Sequence, residues 1–216
     1  MLRKVIRRQD ARVRVLFSLG LPANGQIPPD ILKEISQFDD LLIATYTDTY
    51  QNLTLKTIVN LRFVHYNCLH SSPSFVFLDD DHGINLTQLH CVLSKYSVSE
   101  LRGGIFGAIY PRSRVMRRVQ HRWFTPIADY PFPLFPAYAN GPCYVIGADL
   151  IRKLSIASAF TRPLPNEDVY VGMMLLKLGV DIHPLPNILL HKRLEATNAS
   201  PLVAVLKHFV RVLNIK

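Results

Sequence analysis

Three aspartates stand in a row at residues 79–81, directly after the apolar run "SFVFL". Adjacent carboxylates repel one another, and neither helix nor strand propensity asks for them there. On an extended strand end, Asp79 and Asp81 point to one side and Asp80 to the other. Two carboxylates on one side form a hard oxygen site suited to Mg2+ or Mn2+, completed by substrate phosphate and water. The competing reading is that the triplet caps the following helix, because acids complement the dipole at a helix start. A second acidic pair, Glu167-Asp168, opens the segment "EDVYVGMMLLKLG". Acids in a first turn commonly complement the helix dipole and do no more. A carboxylate placed there can also act as a general base toward an attacking hydroxyl. His191 ends the apolar run "NILL" and precedes Lys192-Arg193, a pair available for phosphate. His183 alone reads as a packing or surface residue.

Other chemistries lack their motifs. There is no Walker A loop, no G-x-G-x-x-G and no G-x-S-x-G elbow, which leaves P-loop, dinucleotide and serine-hydrolase readings unsupported. Cys68, Cys91 and Cys143 are too few and too scattered for a zinc site or a disulfide framework.

The elements that must position these residues alternate. Residues 12–20 read as a strand, 28–38 as a helix begun by proline and aspartate, and 40–46 as a strand. Residues 53–68 read as a helix with Leu55, Ile58, Val59, Phe63 and Tyr66 on one face. Residues 74–81 form a third strand, apolar on both sides, and "LTQLHCVLSKY" the next helix. Strands follow at 103–111 and from Tyr144, the latter running into a helix. Residues 123–143, rich in proline and aromatics, form an ordered loop layer. The helix from Glu167 places Val169, Gly172, Met173 and Leu176 on one face, and 201–213 reads as an amphipathic terminal helix. The alternation predicts an α/β sandwich with a largely parallel sheet. Ligands of such sheets bind beyond the carboxyl ends of the strands, where the aspartates stand.

The 216 residues, 49% apolar and 19% charged, suit one globular domain with a sizeable core. Lys and Arg outnumber Asp and Glu by 25 to 16, a formal +9. The basic residues cluster at 3–14, 112–122 and 192–193 without a finger, basic-zipper or aromatic RNA-binding pattern. An anionic ligand therefore fits better than nucleic acid, and no nucleic-acid partner is expected. No run of about 20 apolar residues marks a membrane span. Sequons occur at Asn52, Asn85 and Asn198. A glycan on Asn85 would obstruct the aspartate site, so Asn52 and Asn198 are the candidate acceptors.

Four segments, "TYTDTYQNLTLKT", "FLDDDHGIN", "HRWFTPIADYPFPLFPAYANG" and "NEDVYVGMMLLKLG", resemble in order and identity those of β-1,3-galactosyltransferases and the related β-1,3-N-acetylglucosaminyltransferases. The resemblance covers nearly the whole chain. It implies a GT-A type, Rossmann-like three-layer sandwich with a mostly parallel central sheet, forming a single catalytic domain over 1–216. It implies an inverting transfer of a hexose, galactose before N-acetylglucosamine, from a UDP-sugar to a sugar hydroxyl in β-1,3 linkage. Glycan, glycoprotein or glycolipid acceptors and the lumenal side of the Golgi membrane follow from it.

By the same resemblance, Asp79 and Asp81 hold Mn2+ with help from His191, and Asp168 is the catalytic base. Asp80, Arg122, Trp123, Gly141 and Glu167 fall at substrate-binding positions. Departures are visible. The family's Thr-Trp-Gly motif and its membrane anchor are not found, so the chain is expected to be truncated at its N-terminal end. His82-Gly83 replace an apolar pair, and Met173-Met174 stand where a cysteine is common, which leaves the family's disulfide through Cys143 without its usual partner. An inactive or truncated relative that binds sugar nucleotide or glycan is the alternative these departures leave.

Overall fold

The computed structural model describes residues 2–189 and 201–205. It opens with helix α1 (Leu2–Gln9), whose Leu2, Val5 and Ile6 are buried at helical spacing. Arg3 on its other face forms ion pairs with Glu34 and Asp40 and lies over the rings of Phe17 and Phe38. Part of the N-terminal basic cluster is thus an internal tie rather than a ligand surface. Strand β1 (Phe17–Leu21), surface helix α2 (Pro29–Gln37) and strand β2 (Leu41–Thr47) follow, with β1 and β2 paired in parallel.

A 3-10 turn at Tyr50–Asn52 leads into α3 (Leu53–Asn67), then β3 (Ser74–Leu78), β4 (His82–Ile84), α4 (Leu86–Leu93) and α5 (Val98–Gly103). The capping box Ser97–Glu100 fixes the start of α5. After β5 (Ile105–Tyr110), an extended loop returns the chain as the long strand β6 (Tyr138–Gly147). Helices α6 (Ala148–Ala157) and α7 (Glu167–Leu178) come next, then β7 (Ile182–Pro184), β8 (Ile188–Leu189) and β9 (Val203–Val205).

The α/β class holds, and the main sheet is mixed, in the order β3-β6-β5-β7. β7 runs parallel to β5, whereas β6 runs antiparallel to both β3 and β5. The cause is the connection: β5 reaches β6 through a loop rather than a crossover helix, so the chain returns in the opposite sense. Alternate residues of β6 face different layers. Tyr144 and Ile146 pack with Ile58 and Leu61 of α3, Leu150, Ile151 and Leu154 of α6, and Tyr170 and Met174 of α7. Cys143 and Val145 pack with Leu2 and Ile6 of α1, Leu89 of α4, Ile84 of β4 and Val203 of β9. Helices on one side and α1, α4 and the small sheet β4-β9-β8 on the other make three layers.

Three sequence expectations need correction. The buried face of α3 is Thr54, Thr57, Ile58 and Leu61, with Leu55 and Tyr66 exposed. The chain there buries two threonine hydroxyls that have partners, which shifts the face away from the purely apolar stripe. On α7 the buried residues are Val169 to Gly172, Met174 and Leu175, while Leu176 is exposed. Residues 203–205, expected in a terminal helix, form the central strand of the small sheet, paired to β4 on one side and β8 on the other. β-branched Val203, fully buried there, gains cross-strand packing that an exposed helix turn lacks. The loop layer is ordered as expected: Arg117 braces it by donating to the carbonyls of Thr125, Tyr130 and Phe132 at 2.6–2.9 Å. Its last residues, 138–143, belong to β6.

Candidate active site

β3 ends at Leu78, and the aspartates form a turn rather than a strand end. The N–H of His82 donates to the carbonyl of Asp79 at 3.0 Å and closes that turn. Curvature, not strand alternation, brings Asp79 and Asp81 together. Oxygens of both carboxylates and a ring nitrogen of His82 lie within 4.8 Å of one another. Asp80 is exposed at the tip. The triplet caps no helix. α4 begins at Leu86, and its cap is Asn85, whose Oδ1 accepts from the N–H of Gln88 at 3.1 Å.

Asp79 reaches solvent, yet protein atoms crowd its carboxyl. That desolvation raises its pKa, with the like charges of Asp81 and Asp80 adding to it and His82 and Lys56 pulling against it. The donor set and its negative charge fit a small divalent cation.

The N–H of Asp79 donates to the carbonyl of Pro142 at 3.0 Å, which ties the turn to β6. The acid pair meets the other side of the same segment. Glu167 Oε2 accepts from the hydroxyls of Thr57 at 3.3 Å and Tyr144 at 3.2 Å. Its carboxyl is enclosed, and that burial, with Asp168 and Asp79 adding like charge, pushes its pKa up to about 8. Glu167 is thus a neutral acid near pH 7.

Asp168 Oδ1 accepts from the N–H of Val169 at 2.8 Å, and the Gly141 backbone N–H also holds the carboxylate. Burial nonetheless raises the Asp168 pKa, with Asp79 adding to the rise. A raised carboxylate, fixed by backbone donors at a helix start, has the character of a general base.

Sequence reasoning assigned no role to several residues here. Lys56 pairs with Asp48 at 3.1 Å and also acts on Asp79. Asp48 Oδ2 accepts from the N–H of Gly20 at 2.9 Å, joining β1 to the start of α3. Thr57 and Tyr144 look like ordinary core residues in the sequence, and only their contacts with Glu167 give them a function. Arg122 lies over the rings of Tyr50 and Trp123 at 5.2 and 4.6 Å. Trp123 Nε1–H donates to the Tyr50 hydroxyl at 2.8 Å. Among the described residues, neither Arg122 nor Trp123 bonds to Asp79, Asp81 or Asp168.

His183 stacks on Phe106, as a packing residue does. Asn52 donates its side-chain amide to the Thr47 carbonyl at 2.8 Å. His191 and Asn198 lie outside the described residues.

Residues 2–186 match the sequence family described as Galactosyltransferase. The chain belongs to the galactosyltransferase family. It is 33% identical to β-1,3-galactosyltransferase 2 of Homo sapiens over 172 residues, 80% of this chain and 40% of that protein. It is also 33% identical to β-1,3-galactosyltransferase 1 of Mus musculus over 177 residues, 82% of this chain and 53% of that protein. The chain thus spans about half the length of these relatives, or less. The galactosyltransferase match takes in both acidic sites, every element from α1 to α7, and β7. Cys68, Cys91 and Cys143 are free thiols, with Cys143 buried and Cys91 exposed. No described helix is long and apolar enough to cross a membrane.

Proposed function

We propose that this chain is the catalytic part of an inverting β-1,3-galactosyltransferase that moves galactose from a UDP-sugar to a sugar hydroxyl of a glycan, glycoprotein or glycolipid. The supporting observation is the meeting of two acidic sites at Gly141-Pro142, one suited to a cation and one to a proton. Asp79 and Asp81 would hold Mn2+, with His191 assigned to the same ion by resemblance. Held by those carboxylates, a divalent ion would supply positive charge against the diphosphate and the UDP leaving group. Asp168 accepts the proton of the acceptor hydroxyl, on the face of the sugar opposite the leaving group. Glu167 stays neutral beside it, so the pair carries one negative charge rather than two. A single displacement needs no enzyme nucleophile, which agrees with the absence of an activated serine or cysteine motif. Lys56 supplies positive charge near Asp79, and Arg122 with Trp123 offers an aromatic and cationic surface for sugar. The family likeness supports the lumenal side of the Golgi membrane as the place of action.

The test is incubation of the purified protein with UDP-galactose or UDP-N-acetylglucosamine and a panel of β-linked acceptors, read by UDP release and product mass. A galactosylated product that requires Mn2+ and disappears with a chelator is expected. Binding of UDP-sugar without release or transfer would instead establish a sugar-nucleotide binding module and end the enzyme reading.

A further inference from the structure

His82 is the first residue of β4 and follows the aspartate turn directly. Its backbone is pinned twice, by the N–H bond to Asp79 and by the pairing with Val205 of β9. Its side chain is 5% exposed. Its strand neighbours Gly83 and Ile84 are buried too, with Ile84 in the apolar layer under the main sheet. An apolar side chain would satisfy every packing demand at this position. An imidazole does not: Nδ1 lies 2.5 Å from Asp81 Oδ1, while Nε2 is buried with no hydrogen-bond partner among the described residues.

Buried polar atoms nearly always have partners, and an unsatisfied one in a functional region marks a place for an ion, a water or a reacting group. No tautomer removes the deficit. With the proton on Nδ1 for Asp81, Nε2 is left as a bare lone pair; with the proton on Nε2, a buried N–H lacks an acceptor.

We propose that His82 is a third protein ligand of the cation held at the Asp79–Asp81 turn, which makes the site two carboxylates and one imidazole. This rests on the cation reading of the turn given above. Donors on opposite sides of a six-coordinate divalent ion stand roughly 4–5 Å apart, and one donor atom from each of the three side chains already lies within 4.8 Å of the other two. The ion would enter between groups whose backbones sit in one tight turn and one paired strand, so little ordering remains at binding. Two carboxylates balance a divalent charge, and a neutral imidazole adds a donor without adding charge. A nitrogen donor also changes selectivity. Mg2+ and Ca2+ favour oxygen, while Mn2+ and the later first-row ions accept imidazole readily. The site should therefore prefer Mn2+, Co2+ and Zn2+ more strongly than two carboxylates alone would.

The test uses Mn2+ alone with the whole chain, by calorimetric titration and pulsed electron paramagnetic resonance, which detects nitrogen bound to manganese. His191→Ala removes the other histidine assigned to the ion. In that variant the nitrogen coupling should persist, and adding His82→Val should abolish it. His82→Val should also weaken Mn2+ binding about tenfold or more, with a change in Mg2+ binding of less than about threefold. His82→Asn keeps a polar donor for Asp81 in similar volume. If His82 only orients Asp81, the Asn variant will bind Mn2+ as the parent does, and the proposal falls. It falls equally if Mn2+ binds the His191→Ala protein with no nitrogen coupling, an outcome that leaves the carboxylate site intact. If the parent binds no Mn2+, the cation reading of the turn fails together with the role of His82. Thermal melts of each variant separate loss of ligand from loss of fold.

Discussion

A Cβ on Gly141 would stand 2.9 Å from Oε1 of Glu167, and 3.7 Å from Oδ2 of Asp168. The glycine is what lets β6 lie directly against the acid pair. Gly141→Ala should push the Glu167 carboxyl off its Thr57 and Tyr144 donors and shift Asp168 with it, since the Gly141 N–H holds that carboxylate. Misplacement of a catalytic group by about 1 Å can lower a rate on the order of a hundredfold. The expected outcome is a fall in kcat of about ten- to a hundredfold with the melting temperature nearly unchanged, read by initial rates and a thermal melt.

Asp168→Asn keeps the shape of the base and removes its capacity to take a proton. Transfer should drop by about two to four orders of magnitude. UDP affinity, measured by calorimetry, should stay within a few-fold of the parent. Normal turnover in this variant would reject Asp168 as the base.

Glu167 links pH to stability. Its carboxyl has an ordinary value of 4.5 and is pushed up to about 8 in the fold. Between those values the folded chain holds a proton that the unfolded chain has released, so stability falls as pH rises from about 4.5 to about 8 and levels off above it. Glu167→Gln mimics the neutral acid. Denaturant melts of the parent and variant should diverge with rising pH, the variant losing less stability across that window. Parallel curves would show that Glu167 is ionised in the folded protein.

Gly147 makes the opposite kind of contact from Gly141. A Cβ there would lie 2.0 Å from the Leu101 carbonyl oxygen and 2.3 Å from that of Arg102. Both are backbone atoms that cannot turn away. Gly147→Ala should therefore separate β6 and α6 from α5 and destabilise the fold by more than about 2 kcal/mol. A chemical denaturation series checks this, with a lowered midpoint expected.

The opposed behaviour of these glycines shows where sequence reasoning stops. Alternating strands and helices, the apolar run into Asp79 and the helix opened by Glu167-Asp168 were all legible, because each depends on residues close together in the chain. The four motif segments together indicated the family for the same reason. The antiparallel sense of β6 was not legible, since it depends on how a 27-residue loop between β5 and β6 returns in space. Nor was the strand at 203–205, which exists because β4 offers a partner more than a hundred residues away.

The chemistry divides along the same line. Sequence alone determined which carboxylates are present and that two of them open a helix. The tertiary structure decided their states. Glu167 holds its proton more tightly because the fold buries it beside Asp168 and Asp79, an effect that outweighs the opposing hydrogen bonds of Thr57 and Tyr144. Asp168 is a fixed carboxylate because the backbone of Gly141 donates to it. His82 joins the aspartates because the turn curls and β9 covers the strand that follows. Ionisation and coordination depend on what surrounds a group, and most of what surrounds these groups comes from distant parts of the chain.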